Sequence, residues 1–134
     1  MPTLNDITQR TLGAALVVED NPIIALDTQT ILEELGFSPV EILASLADGI
    51  ETLANQIFNF VILDVNIADD TSLKFAELLL DRGTRFVFAS GYSDSDSLPQ
   101  MFRDHPILSK PYTKGQIAEL VLGKLQISSV EAPK

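Results

Sequence analysis

A chain of 134 residues fits a single domain of ordinary size, long enough to bury a sizeable core. With 46% hydrophobic and 21% charged residues it is neither a disordered nor a membrane-spanning sequence, and no apolar run reaches the roughly 18 residues that a span requires. The absence of cysteine excludes a disulfide scaffold, a thiol nucleophile and a thiolate metal site. Nine Lys and Arg against 19 Asp and Glu leave a net charge of −10, which opposes nucleic-acid binding and suits a cation or a basic partner. The N-terminus has acidic and polar residues where a signal peptide has a basic and then an apolar region, so the expected location is cytoplasmic.

The N-terminal residues 1–11 lack apolar periodicity and read as a tail, and the domain is expected over 12–127 with a second tail at 128–134. The first strand-like run is Ala14–Val18, followed by Glu19-Asp20. Asn21-Pro22 then supplies an N-cap and a first-turn proline, Ile24, Thr28, Ile31 and Leu35 fall on one helical face, and Gly36 suits the C-cap. Val40–Ala44 is the second run, and Asp48 can cap a helix carrying Ile50, Leu53, Ala54 and Ile57. Phe60–Leu63 is the third run and ends in Asp64. Ser72 can cap the next helix, with Leu73, Ala76 and Leu80 as its stripe and Gly83 as its stop. Phe86–Ala89 ends in Ser90, and after it an Asp- and Ser-rich stretch leaves only a short helix near Leu98–Arg103. Ile107–Leu108 precedes Ser109-Lys110-Pro111, and Thr113 with Gln116 has the capping-box spacing ahead of Ile117, Leu120, Val121 and Leu125. Continuous apolar strands alternating with amphipathic helices describe a (βα)5 α/β domain, its parallel sheet covered on both faces.

In a parallel sheet every C-terminal strand end lies along one edge, where ligands of open α/β sheets bind. Glu19, Asp20, Asp64, Ser90 and Lys110, far apart in sequence, therefore converge on one pocket. Two carboxylates ~5 Å apart at an effective dielectric of ~20 repel by about 3 kcal/mol. One lysine offsets part of this, and a divalent cation can offset the rest. With hard oxygen ligands throughout, Mg²⁺ fits best. A carboxylate beside Mg²⁺, an ammonium and a hydroxyl can attack phosphorus while the other groups hold the phosphoryl oxygens.

The segments VVEDNP, FVILDVN, FASGY and LSKPY, in this order, resemble the receiver domain of two-component response regulators over roughly residues 13–127. The resemblance implies a flavodoxin-like doubly wound fold with strand order 2-1-3-4-5. It also implies Asp64 as phosphoacceptor, Glu19 and Asp20 as Mg²⁺ acids, the Asn66 main-chain carbonyl as a further metal ligand, Ser90 as switch hydroxyl and Lys110 as phosphoryl-binding lysine. The lysine–proline bond of this family is typically cis, which Lys110-Pro111 permits. Phe86–Tyr92 is similar to the FATGUY subgroup of stand-alone receivers, with Arg85 for the leading proline and Ser90 for threonine. That subgroup implies a sensor histidine kinase of the HWE or a related type as partner, with a phosphotransfer or other downstream protein as a second. Ile107 replaces the aromatic switch residue of many receivers, which moves the expected response to the Gly91–Arg103 segment.

Residues 128–134 are too few for an output module, so the expected function is a single-domain response regulator, signalling through partner proteins or acting as a phosphate shuttle or sink. No enzyme with a separate turnover substrate, no nucleic-acid partner and no membrane partner is expected. An aspartate-nucleophile phosphatase is the enzymatic alternative, but Asn66 stands where its second aspartate belongs. A nucleotide- or flavin-binding domain lacks its Gly-rich loop, since Glu19-Asp20 follows the first strand. A receiver working without phosphorylation is the remaining alternative. Tyr92 and Tyr112 can either border the pocket or pack in the core, His105 reads as an exposed or turn residue, and Lys114 and Lys124 as solvated.

Overall fold

Side chains of successive strand residues point to opposite faces, and in the first strand both faces are apolar. Ala15, Val17 and their neighbours pack to one side, Leu16 and Val18 to the other, and all are buried. Such a strand has to be covered twice. The computed structural model, which describes residues 12–47, 49–67, 70–91 and 105–123, shows how. The chain runs β1 (Ala15–Val18), α1 (Pro22–Leu35), β2 (Val40–Leu43), α2 (Gly49–Asn55), β3 (Phe60–Asp64), α3 (Leu73–Arg82), β4 (Phe86–Ser90), β5 (Ile107–Ser109) and α4 (Lys114–Ala118), which continues as a π-helical turn over Glu119–Gly123. All pairings in the sheet are parallel and the order is β2-β1-β3-β4-β5, the flavodoxin-like order 2-1-3-4-5. Residues of α2 and α3 cover one face and residues of α1 and α4 the other. A short antiparallel pair, Asn66–Ile67 with Asp70–Thr71, lies between β3 and α3. Among the described residues no helix is long and apolar enough to cross a membrane.

The local signals at α1 and α4 hold. Asn21 Oδ1 accepts hydrogen bonds from the N–H groups of Ile23 and Ile24 at 2.9 and 3.2 Å, and Gly36 ends the helix at φ 118°. Thr113 and Gln116 form the reciprocal capping box. Elsewhere the helical phase differs from expectation. In α2 only Gly49 and Leu53 turn inward, while Ile50 and Ile57 are exposed and Ile57 lies beyond the helix end. In α3 the buried residues are Phe75, Ala76 and Leu79, and Leu80 faces outward. A three-leucine run at 78–80 carries no phase information of its own. The expected cap Asp48, the helix near Leu98–Arg103, Tyr92, Lys124 and both tails lie outside the described residues. Among the described residues, two X-Pro bonds are cis, Ser38-Pro39 and Lys110-Pro111.

His105 stands at a bend and is half-buried rather than exposed. Its ring stacks on Phe86 with centroids 4.0 Å apart, and Nε2 lies 2.6 Å from the Phe86 carbonyl oxygen.

Tight packing of α2 on α3 yields a prediction. A Cβ placed on Gly49 would lie 2.6 Å from Cε1 of the buried Phe75 ring. Alanine favours helix by up to about 1 kcal/mol over glycine, but overpacking costs about 1–3 kcal/mol. Gly49→Ala is therefore expected to destabilise the protein, read as a lower urea midpoint. A raised midpoint would show that the Phe75 ring yields freely.

Candidate phosphoacceptor and metal site

The strand order reverses around β1 and β3, and the carboxylates follow these two strands. Asp64 is the last residue of β3, while Glu19 and Asp20 follow β1. One carboxylate oxygen of each lies within 4.8 Å of the others. Glu19 and Asp64 are buried and Asp20 faces solvent. At that separation and an effective dielectric of ~20, each ionised pair repels by about 3 kcal/mol.

Lys110 enters from the other side of the sheet edge. Its Nζ donates to Asp64 Oδ2 at 2.7 Å and lies 2.8 Å from Glu19 Oε1. It can do so because its main-chain N–H is tied to the Ser90 carbonyl at 2.8 Å, which continues the β4–β5 pairing past Ser109. Glu19 is fixed at its other oxygen, where Oε2 accepts the Asn21 N–H at 3.0 Å. Asn21 thus caps α1 and anchors an acid of the cluster. Glu19 Oε1 is buried, and the Lys110 ammonium lies against it at 2.8 Å. A hard cation can use such an oxygen.

Burial pushes the Glu19 carboxyl above its ordinary 4.5; Lys110 and the Asn21 N–H pull it back, and the Asp64 charge adds to the rise. Burial by itself would lower Lys110, but its contacts with Asp64 and Glu19 outweigh this and the net shift is upward.

Ser90 is buried at the end of β4, one residue beyond Ala89, the register partner of Asp64. Asn66 follows Asp64 by two residues and opens the short antiparallel pair. All the expected site residues thus lie at or next to the C-terminal sheet edge, and the close carboxylate–ammonium cluster consists of Glu19, Asp20, Asp64 and Lys110. Ile107 is half-buried and packs against the core cluster that contains Phe88. Lys114 is exposed and pairs with Glu34 at 3.2 Å, a surface contact of little energetic weight.

Two polar contacts carry no sequence signal. Thr28, fully buried in α1, donates to the Ile24 carbonyl at 2.8 Å and meets the Tyr112 hydroxyl at 2.7 Å. The threonine's one proton is spent on Ile24, so Tyr112 is the donor. Burial raises the Tyr112 phenol, and the Glu19 charge adds to the rise. The ring thus borders the site: it lines, with Ile23, Ile24, Asp27, Lys110 and Pro111, a groove of about 430 Å³ beside the cluster. The second contact is made by Ser72. It occupies the N-cap position of α3, but its side chain donates to the carbonyls of Asp64 and Val65 and makes no cap bond.

The sequence of residues 15–122 matches the model of the response regulator receiver domain. The chain belongs to that family. Among solved structures, SdrG from Sphingomonas melonis Fr1 is 36% identical, with a TM-score of 0.74 over 87% of this chain and 98% of that one. A CheY-like receiver domain from Methylobacillus flagellatus has the same fold at 24% identity, with a TM-score of 0.72 over 84% of this chain and 98% of that one. The stress response regulator PhyR is similar in fold at 20% identity and a TM-score of 0.67; the match covers 87% of this chain and 46% of PhyR. The curated protein sequences gave no match. Receiver domains bind Mg²⁺ through an acidic pocket, and Glu19, Asp20 and Asp64 form an acidic cluster here. They work with histidine kinases and phosphotransfer proteins and are not classical enzymes.

The raised Glu19 carboxyl has a testable sign. Between pH 4.5 and its higher native value the folded state binds more protons than the unfolded state, so stability falls as pH rises through that window. In chelator-treated protein, urea unfolding at a series of pH values is expected to show this decline, and Glu19→Gln is expected to remove it. Parallel curves for the two proteins would contradict the upward shift.

Proposed function

We propose that this receiver is a phosphorylation-dependent signalling protein in which Asp64 accepts a phosphoryl group from a sensor histidine kinase. The observation that carries the reading is the buried Asp64 carboxylate, at the end of a central strand, held 2.7 Å from Lys110 and within 4.8 Å of two further acids. An Asp64 oxygen attacks phosphorus as the donor's P–N bond breaks, and the electron pair leaves with the donor imidazole. Lys110, already paired to Asp64, takes up one phosphoryl oxygen, and the Ser90 hydroxyl is the group that the product engages. Glu19, Asp20, Asp64 and the Asn66 carbonyl are the ligands for Mg²⁺. When bound, the cation neutralises the charge that develops on the phosphoryl oxygens. The donor set fits it: hard oxygens only, with Asp20 facing solvent and a buried Glu19 oxygen paired to Lys110.

The receiver unit spans residues 12–127, between tails at 1–11 and 128–134. The Phe86–Gly91 motif and the 36% identity with SdrG support a stand-alone receiver of the FATGUY kind, acting in the cytoplasm with a kinase of the HWE or a related type.

Mass spectrometry after incubation with phosphoramidate and Mg²⁺ is expected to show one added phosphoryl group, absent in Asp64→Asn. Full labelling of that variant would move the phosphoacceptor elsewhere. Mg²⁺ binds the folded cluster and not the unfolded chain, so at ~100 times its dissociation constant it adds about 2.7 kcal/mol of stability. Asp20→Ala is expected to lose most of that thermal shift. An undiminished shift would place the cation away from the cluster.

A further inference from the structure

Ser72 stands where a capping serine is expected, yet its hydroxyl is turned the other way. The residue is fully buried, and its Oγ donates to the carbonyl oxygens of Asp64 and Val65, the latter at 3.1 Å. Its main-chain N–H donates to the Val65 carbonyl at 3.0 Å. From the opposite side, the Val65 N–H donates to the Ala89 carbonyl at 2.9 Å. The peptide joining Asp64 to Val65 is therefore held at both ends, its C=O by Ser72 and its N–H by β4. The carbonyl of the next peptide, which leads into Asn66, is held by Ser72 as well. Two successive peptide planes are thus fixed where the chain leaves β3, between a cluster carboxylate and the carbonyl proposed to bind metal.

The geometry points to Ser72 as a positioning residue for the cation: its hydroxyl fixes the Asp64–Val65–Asn66 main chain so that the Asp64 carboxylate and the Asn66 carbonyl converge on Mg²⁺. Ser72 itself touches neither metal nor phosphoryl group. The assignment rests on the Mg²⁺-dependent reading of the pocket. Mg²⁺ demands near-ideal octahedral geometry, whereas Ca²⁺ accepts irregular oxygen shells. Loosening this main chain should therefore cost Mg²⁺ more than Ca²⁺. Groups that orient metal ligands typically contribute about 10–100-fold in affinity.

Calorimetric titration of the full chain with Mg²⁺ and, separately, with Ca²⁺ tests this. Ser72→Ala is expected to weaken Mg²⁺ binding about 10-fold or more and Ca²⁺ binding distinctly less, so that the preference for Mg²⁺ falls. Unchanged affinities would overturn the assignment. So would an equal loss for both ions together with a lower metal-free melting temperature, which is what a merely structural role gives. If Ser72→Ala does not fold, Ser72→Cys decides: it keeps the shape and only a weak donor. A smaller shift of the same sign supports the assignment, and an unchanged Mg²⁺-to-Ca²⁺ ratio overturns it. Wild-type protein that binds no Mg²⁺ would instead overturn the reading of the pocket, and the role of Ser72 with it.

Discussion

Crowding of like charge at one edge of a parallel sheet is the constraint on which the rest of this molecule turns. Glu19, Asp20 and Asp64 come within 4.8 Å of one another because β1 and β3 are adjacent and run the same way. The single ammonium of Lys110 touches two of them. With every acid ionised the group keeps a surplus of negative charge. Two of its acids are buried, where water cannot screen that charge well. A bound cation offsets that surplus, and the phosphoryl transfer proposed at Asp64 draws on the same positive charge.

The surrounding scaffold is built to withstand this cost. β1 and β3 are almost wholly buried, and the two apolar clusters on either side of the sheet leave the strand ends little freedom to splay. Main-chain ties reinforce the edge at each loop: Glu19 N–H to Leu43, Val65 N–H to Ala89, and Lys110 N–H to Ser90. Glu19 and Asn21 share a further bond, which joins the cluster to the first turn of α1.

The five strands were legible in the sequence because buried parallel strands read as unbroken apolar runs, and each site residue could be placed because it ends or follows such a run. The Asn21 cap, the Gly36 stop and the Thr113–Gln116 box are short-range chemistry and were equally plain. The inward faces of α2 and α3 were not. A seven-residue helix offers fewer than two full turns of period, and consecutive leucines in α3 fit several phases. In α1 Thr28 and Ile31 are buried as expected and Leu35 packs against the core, but Ala25 and Leu32 are buried as well and Ile24 is only half-buried. The hydrogen bonds of Ser72 and Tyr112 are not legible in the sequence, because their partners, Asp64, Val65 and Thr28, are brought near only by the tertiary fold.

His105 shows what a contact at the far end of the sheet can be used for. A carbonyl oxygen only accepts, so the 2.6 Å approach to Phe86 places a proton on Nε2. The imidazole also lies face-on to Phe86 and edge-on to Phe88, within 5.7 Å of both ring centres. Both phenylalanines belong to the strand whose other end is Ser90. As the sole histidine of the chain it contributes a single, readily assigned set of ring proton resonances, displaced by the magnetic fields of two neighbouring aromatic rings. Those resonances form a built-in gauge, free of any label or substitution, for whether a change at Ser90 travels the length of β4 or dies out along the way.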